Sequence, residues 1–176
     1  MSNTLYDALL KPHLENDKSL LVLPDGSEIS YKAAIQQAHR VANVLKASGV
    51  VSGDRVAVQV EKSPEALFLY FACVAAGAVF LPLNTAYMAS ELSYFIEDAS
   101  PSLIIVDPAK VSTLASIAAT AGAKLETLGS DGSGSLLEQA SVASPDFAPV
   151  PRGPDDLAAI LYTSGTTGRS KGAMLS

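Results

Sequence analysis

Apolar residues at Ile35, Ala38, Val41, Ala42 and Leu45 recur three or four positions apart with polar residues between them, which is the stripe of an amphipathic helix over 30–48. Ser30 stands before that run as an N-cap, and Gly49 follows it where the chain must leave the helix. Upstream, 3–11 reads as a short amphipathic helix. Two short strands, 19–23 and 28–30, flank the turn Pro24-Asp25-Gly26. From position 55 the rhythm changes. "RVAVQV" (55–60) is a strand, Ser63-Pro64 caps and starts a helix through 76, and Gly77 ends it. A strand at 79–83, a helix at 90–98, the apolar strand "LIIVD" (103–107), an Ala-rich helix at 108–121 and a strand at 124–128 follow. Strands and helices alternating at this spacing predict an α/β fold: an open, mainly parallel sheet with helices on both faces. Val56, Val58, Val79, Leu81, Ile104 and Ile105 are the expected buried strand residues.

Two breaks interrupt the rhythm. "GSDGSGS" (129–135) is a turn region, and "SPDFAPVPRGP" (144–154) holds four of the ten prolines. The chain therefore divides into an α/β subdomain over 1–143, a Pro-rich linker over 144–154 and a terminal unit over 155–176. That unit opens with "DDLAAILY", read as a strand that starts a new element rather than continuing the sheet. The start of a returning strand lies at 172–176.

Composition changes this picture little. With 48% apolar and 17% charged residues the chain can bury a core. A net charge of −6 and scattered basic residues argue against nucleic acid or an anionic membrane as partner. The first eighteen residues contain no apolar stretch long enough to span a bilayer. One cysteine and no leader-like N-terminus point to the cytoplasm, with Cys73 a buried, inert thiol in an apolar run. His13 and His39 have no ligand partners at metal spacing and are expected on the surface or a helix face.

The chemistry concentrates in "YTSGTTGRSKG" (162–172), which holds three glycines, five Ser/Thr hydroxyls and two cations in eleven residues. Gly165, Gly168 and Gly172 let the backbone approach a ligand closely. Successive backbone N–H groups in such a loop make an anion-binding concavity, to which Thr163, Ser164, Thr166 and Thr167 add donors. Lys171 brings a mobile positive charge, and Arg169 a second. Together they describe a polyphosphate cradle, against the alternative of a Gly/Ser/Thr turn with no ligand. The spacing is not that of a Walker A loop, since Ser170 occupies the place of its second glycine, and G-x-G-x-x-G is absent.

"LYTSGTTGRSKGAMLS" resembles the phosphate-binding signature of the adenylate-forming enzymes, the superfamily of acyl-CoA synthetases, adenylation domains and luciferases. Their usual pattern is [YF]-T-S-G-[ST]-T-G-x-P-K-G. Upstream, "ISYKAAIQQAHRVANVL", "GDRVAVQVEKSPEALFLYFACVAAGAVFLPLN" and "ELSYFIEDASPSLIIV" resemble successive segments of the same superfamily. With "VEKS" and "PLNTAY", the loop is most like the malonyl-CoA synthetase branch. Ser170 departs from the pattern, standing where proline is usual, while the lysine is retained.

The resemblance implies a carboxylate–CoA ligase using ATP, Mg2+ and coenzyme A, with malonate or a similar small carboxylate as substrate. A carboxylate attacks the α-phosphate to give acyl-AMP and pyrophosphate, and the thiol of coenzyme A then displaces AMP. It further implies Lys171 as the catalytic counter-charge. Thr163, Ser164, Gly165, Thr166, Thr167, Gly168 and Lys171 would bind the phosphates. The superfamily's adenine, ribose and acyl contacts lie further along a longer chain, so these 176 residues are expected to be a truncated N-terminal lobe, inactive alone. Two alternatives stay open: another adenylating enzyme, or a non-catalytic nucleotide-binding domain.

Overall fold

A computed structural model describes residues 2–163 and 170–176. A short helix α1 (Thr4–Leu9) leads through a 3-10 turn at Lys11–His13 into the hairpin β1 (Ser19–Val22) and β2 (Glu28–Ser30), then α2 (Tyr31–Ala47). Alternation follows: β3 (Arg55–Gln59), α3 (Pro64–Ala76), β4 (Val79–Pro82), α4 (Ala89–Ala99), β5 (Leu103–Val106), α5 (Val111–Ala121) and β6 (Lys124–Thr127). The described chain closes with α6 (Ser135–Val142), β7 (Ala159–Thr163) and β8 (Lys171–Leu175).

The main sheet runs β6-β5-β3-β4-β7-β8, with every pairing parallel except β7–β8. Alternation along the strands divides the core. Val56, Val58, Leu103 and Ile105 face α1, α2, α3 and α6, while Ala57, Leu81, Ile104 and Val106 face α4 and α5. All six expected strand residues are buried. The fold is thus the open, mainly parallel α/β sheet expected, covered on both faces.

Local chemistry sets the helix ends. Ser30 Oγ accepts from Ala33 N at 3.2 Å, and Ser63 Oγ accepts from Ala66 N at 3.1 Å. Gly77 closes α3 in the left-handed region at φ 68°. Cys73 of α3 is fully buried, and burial pushes its thiol far up, in keeping with an inert core residue.

Several expectations are corrected. The first helix is shorter than 3–11, because Pro12 brings a ring and no N–H, and the chain tightens into the 3-10 turn. The 108–121 helix begins instead as a separate 3-10 turn at Pro108–Lys110, where Asp107 Oδ1 accepts from Ala109 N at 2.8 Å. Helix α6 adds an element that the sequence pattern does not predict. It follows Gly134, whose φ of 118° and 2.5 Å approach of a would-be Cβ to the Thr127 carbonyl admit no side chain. The terminal strand does continue the sheet: β7 lies beside β4, with Phe80 paired to Ala159 and Phe80 N donating to Ala158 O at 2.9 Å.

His39 lies on α2, one of the two expected placements, but on a buried face rather than at the surface. Residues 144–147 cover it, held to α2 by Asn43 Nδ2, which donates to Ser144 O and Asp146 O at 2.9 Å each. Further along, Val150 N donates to Ala75 O at 2.8 Å and Arg152 N to Ser2 O at 3.0 Å, so the 144–154 segment runs pinned across the body.

Candidate functional site

In open parallel sheets, ligand-binding groups collect outside the carboxyl ends of the strands. Because β7 is parallel to β4, its carboxyl end at Thr163 lies at that end of the sheet. The antiparallel ladder pairs Thr163 with Lys171, Tyr162 with Gly172 and Leu161 with Ala173. Thr163 and Lys171 therefore face each other across the neck of the glycine-rich loop, and both are exposed. The ladder thus brings an exposed threonine and an exposed lysine to opposite sides of that neck. Ser164, Gly165, Thr166, Thr167 and Gly168, the other candidate phosphate ligands, and Arg169 lie outside the described residues.

One helix grips both sides of this neck. Tyr162 of β7 lies over Phe95 of α4 with ring centroids 4.3 Å apart, and its hydroxyl donates to Asp98 Oδ2. From the same face of α4, Tyr94 donates its hydroxyl to the carbonyl of Ser170 at 3.0 Å. Tyr94 also meets Tyr162 edge-on, with centroids 6.5 Å apart. Burial, then the hydrogen bond to Asp98 and the charge behind it, push the Tyr162 hydroxyl well above the usual phenol range. It stays protonated and donating at any physiological pH.

Sequence reasoning singled out neither Tyr94 nor Asp98. Their spacing in "SYFIED" puts them on one face of a helix, which was legible. Their partners lie 76 and 64 residues further along, which no local pattern records.

Other features of the described residues lie elsewhere. A hollow lined by Asn3, Leu5, Val74, Arg152, Pro154 and Ser176 opens at the amino ends of β4 and β7, the opposite end of the sheet from the loop. Among the described residues no three His, Cys, Asp or Glu side chains cluster closely enough to hold a metal ion. No helix among them is long and apolar enough to cross a membrane.

The model of a family described as "AMP-binding enzyme" matches residues 11–176. A feruloyl-CoA synthase from Amycolatopsis sp is 38% identical over 168 residues, covering 96% of this chain and 31% of the relative. The long-chain-fatty-acid–CoA ligase FadD13 of Mycobacterium tuberculosis is 36% identical over 140 residues, covering 78% of this chain and 27% of the relative. Among solved structures, ATP-bound MatB from Rhodopseudomonas palustris superposes with a TM-score of 0.95 at 56% identity, covering 100% of this chain and 35% of that one. The chain thus spans 27–35% of the length of these relatives.

Proposed function

The chain belongs to the AMP-binding enzyme family, and from that premise we propose that it supplies the phosphate-binding loop of an adenylate-forming carboxylate–CoA ligase. One observation carries the reading: an exposed threonine and lysine are paired at the neck of the loop, at the carboxyl end of the sheet, in a chain 56% identical to a protein solved with ATP. In the first half-reaction a carboxylate oxygen attacks the α-phosphorus, and the bond from that phosphorus to the bridging oxygen breaks. Pyrophosphate leaves with the electron pair. In the second, the coenzyme A thiol attacks the acyl carbon, loses its proton, and AMP leaves.

The first step needs positive charge and donors where negative charge spreads over the β- and γ-oxygens. Lys171 supplies the charge. Thr163, Ser164, Thr166 and Thr167 supply hydroxyl donors, and Gly165 and Gly168 admit the phosphates to the backbone N–H groups. Magnesium enters with ATP as part of the nucleotide substrate.

We further propose malonate, or a close small dicarboxylate, as the acyl substrate. Support comes from the loop variant "TSGTTGRSKGAMLS" with "VEKS" and "PLNTAY" upstream, the combination most like the malonyl-CoA synthetase branch. The two curated relatives named above carry other acyl groups in their names, at lower identity. The test is pyrophosphate release by the protein expressed from its full reading frame, across malonate, ferulate, fatty acids and amino acids. Malonate is expected to give the highest kcat/KM. Preference for any of the others overturns the substrate assignment and leaves the adenylation chemistry standing.

A further inference from the structure

We infer that Tyr94 is a positioning residue for the loop: its phenol holds the carbonyl of Ser170 and so fixes the backbone that delivers Lys171. The chemistry of this inference rests on the adenylation reading above, and its geometry on the contacts between α4 and the hairpin. The β7–β8 ladder ends at the Thr163–Lys171 pair, so Lys171 is the terminal residue of β8, with the ladder on one side of it only. Ser170 lies one residue outside that strand. Its carbonyl accepts the Tyr94 hydroxyl at 3.0 Å, so a side-chain bond extends the restraint one residue beyond the ladder.

The anchor itself is held firmly. The Tyr94 ring leans on Phe95, with centroids 5.5 Å apart, and on Tyr162 at 6.5 Å. Tyr162 is bound back to α4 through Asp98. Two phenol hydroxyls thus cross the same interface in opposite directions, one from α4 to the exit of the loop and one from β7 to α4. A lysine side chain has four rotatable bonds, so its reach is set by the backbone from which it starts. Misplacing a charge by an ångström where phosphate charge develops is costly to rate. Freeing the Ser170 carbonyl would therefore weaken the action of Lys171 while leaving Lys171 and the loop's Ser/Thr residues unchanged in the sequence.

The test is Tyr94→Phe, which deletes one oxygen and keeps the ring. Limited trypsin digestion reads the tether directly, at the bonds after Arg169 and Lys171. Cleavage there is expected to rise several-fold in the variant, while cleavage after Lys46 and Arg55 stays unchanged. Unchanged cleavage at the neck overturns the inference whatever the enzyme does. Single-turnover kinetics of the protein from the full reading frame read the consequence. The rate of acyl-AMP formation is expected to fall about three- to tenfold, the scale of one neutral hydrogen bond, with the KM for the carboxylate and the thioester step unchanged. Equal loss in both steps reduces Tyr94 to a purely structural role and overturns the inference. Lys171→Ala, measured alongside, separates the two levels. If it slows adenylation selectively and Tyr94→Phe does not, the inference fails and the adenylation reading stands. If Lys171→Ala shows no selectivity, the adenylation role fails, and the digestion result still decides whether Tyr94 holds the neck.

Discussion

Tyr162 and Gly172 stand opposite one another in the β7–β8 ladder, and the tyrosine ring lies within 3.5 Å of where a Cβ on Gly172 would sit. The same Cβ would come within 2.9 Å of Ile160 Cγ2, closer than side chains tolerate without a shift. An aromatic ring covering a cross-strand glycine supplies packing that the glycine lacks. Gly172 is thus needed for space in the ladder, which lets Tyr162 and Ile160 lie against α4.

Gly172→Ala follows from that relationship. The added methyl forces Ile160, Tyr162 or the β8 backbone to move, and overpacking of this kind costs about 1–3 kcal/mol. Urea denaturation of the variant is expected to show a lower midpoint with an unchanged m-value. A midpoint equal to that of the parent chain would mean that the hairpin shifts freely, and would remove the steric account of this glycine.

A second prediction concerns His39. Its Nδ1 lies 3.0 Å from the Pro145 carbonyl and so carries the proton, while Nε2 lies 2.9 Å from the Tyr6 hydroxyl and accepts from it. Burial pushes the imidazole below its usual range, outweighing the upward pull of the Pro145 carbonyl and the Asp146 carboxylate. The sign follows by linkage. With the folded value depressed, the unfolded chain binds the proton first as pH falls below about 6.5, the ordinary value. Stability therefore drops from that point down to the folded value, and is fully present above it. Melting temperatures from pH 7.5 to 5 are expected to fall more steeply for the parent chain than for His39→Gln. The slope is the readout, since the variant also loses packing. Parallel curves across that window would show that His39 does not titrate differently on folding.

The same residues mark what the sequence could and could not disclose. Ser30, Ser63 and Gly77 were legible as helix ends because each cap is satisfied within four residues of chain. The parallel sheet was legible because strands buried on both faces read as continuous apolar runs. Helix α6 escaped because only Leu136 and Ala140 of its eight residues are buried, too short a stripe to stand out after a Gly/Ser turn. The burial of His39 depends on Pro145, 106 positions away, and the docking of β7 on Phe80, 79 positions before Ala159. The loop announced itself by composition, whereas its supports on α4, Tyr94 and Asp98, have no composition of their own to announce.

The final prediction addresses Lys171. It is the first residue of β8, exposed, and paired with Thr163 at the neck of the loop. If the loop cradles the β- and γ-phosphates, those groups depart as pyrophosphate after the first step, and the lysine loses its counterpart. A cation contributes most where negative charge develops in a site shielded from water. Losing one such contact commonly slows a reaction on the order of 10²–10³-fold, about 3–4 kcal/mol. Lys171→Ala in the protein from the full reading frame is therefore expected to slow acyl-AMP formation by that order. The thiol step starts from acyl-AMP, with pyrophosphate already gone, and should change far less. Single-turnover measurement of each half-reaction, with acyl-AMP supplied directly for the second, separates the two. Equal losses would mean that Lys171 supports the fold or its surroundings, and the phosphate-binding role would have to be withdrawn.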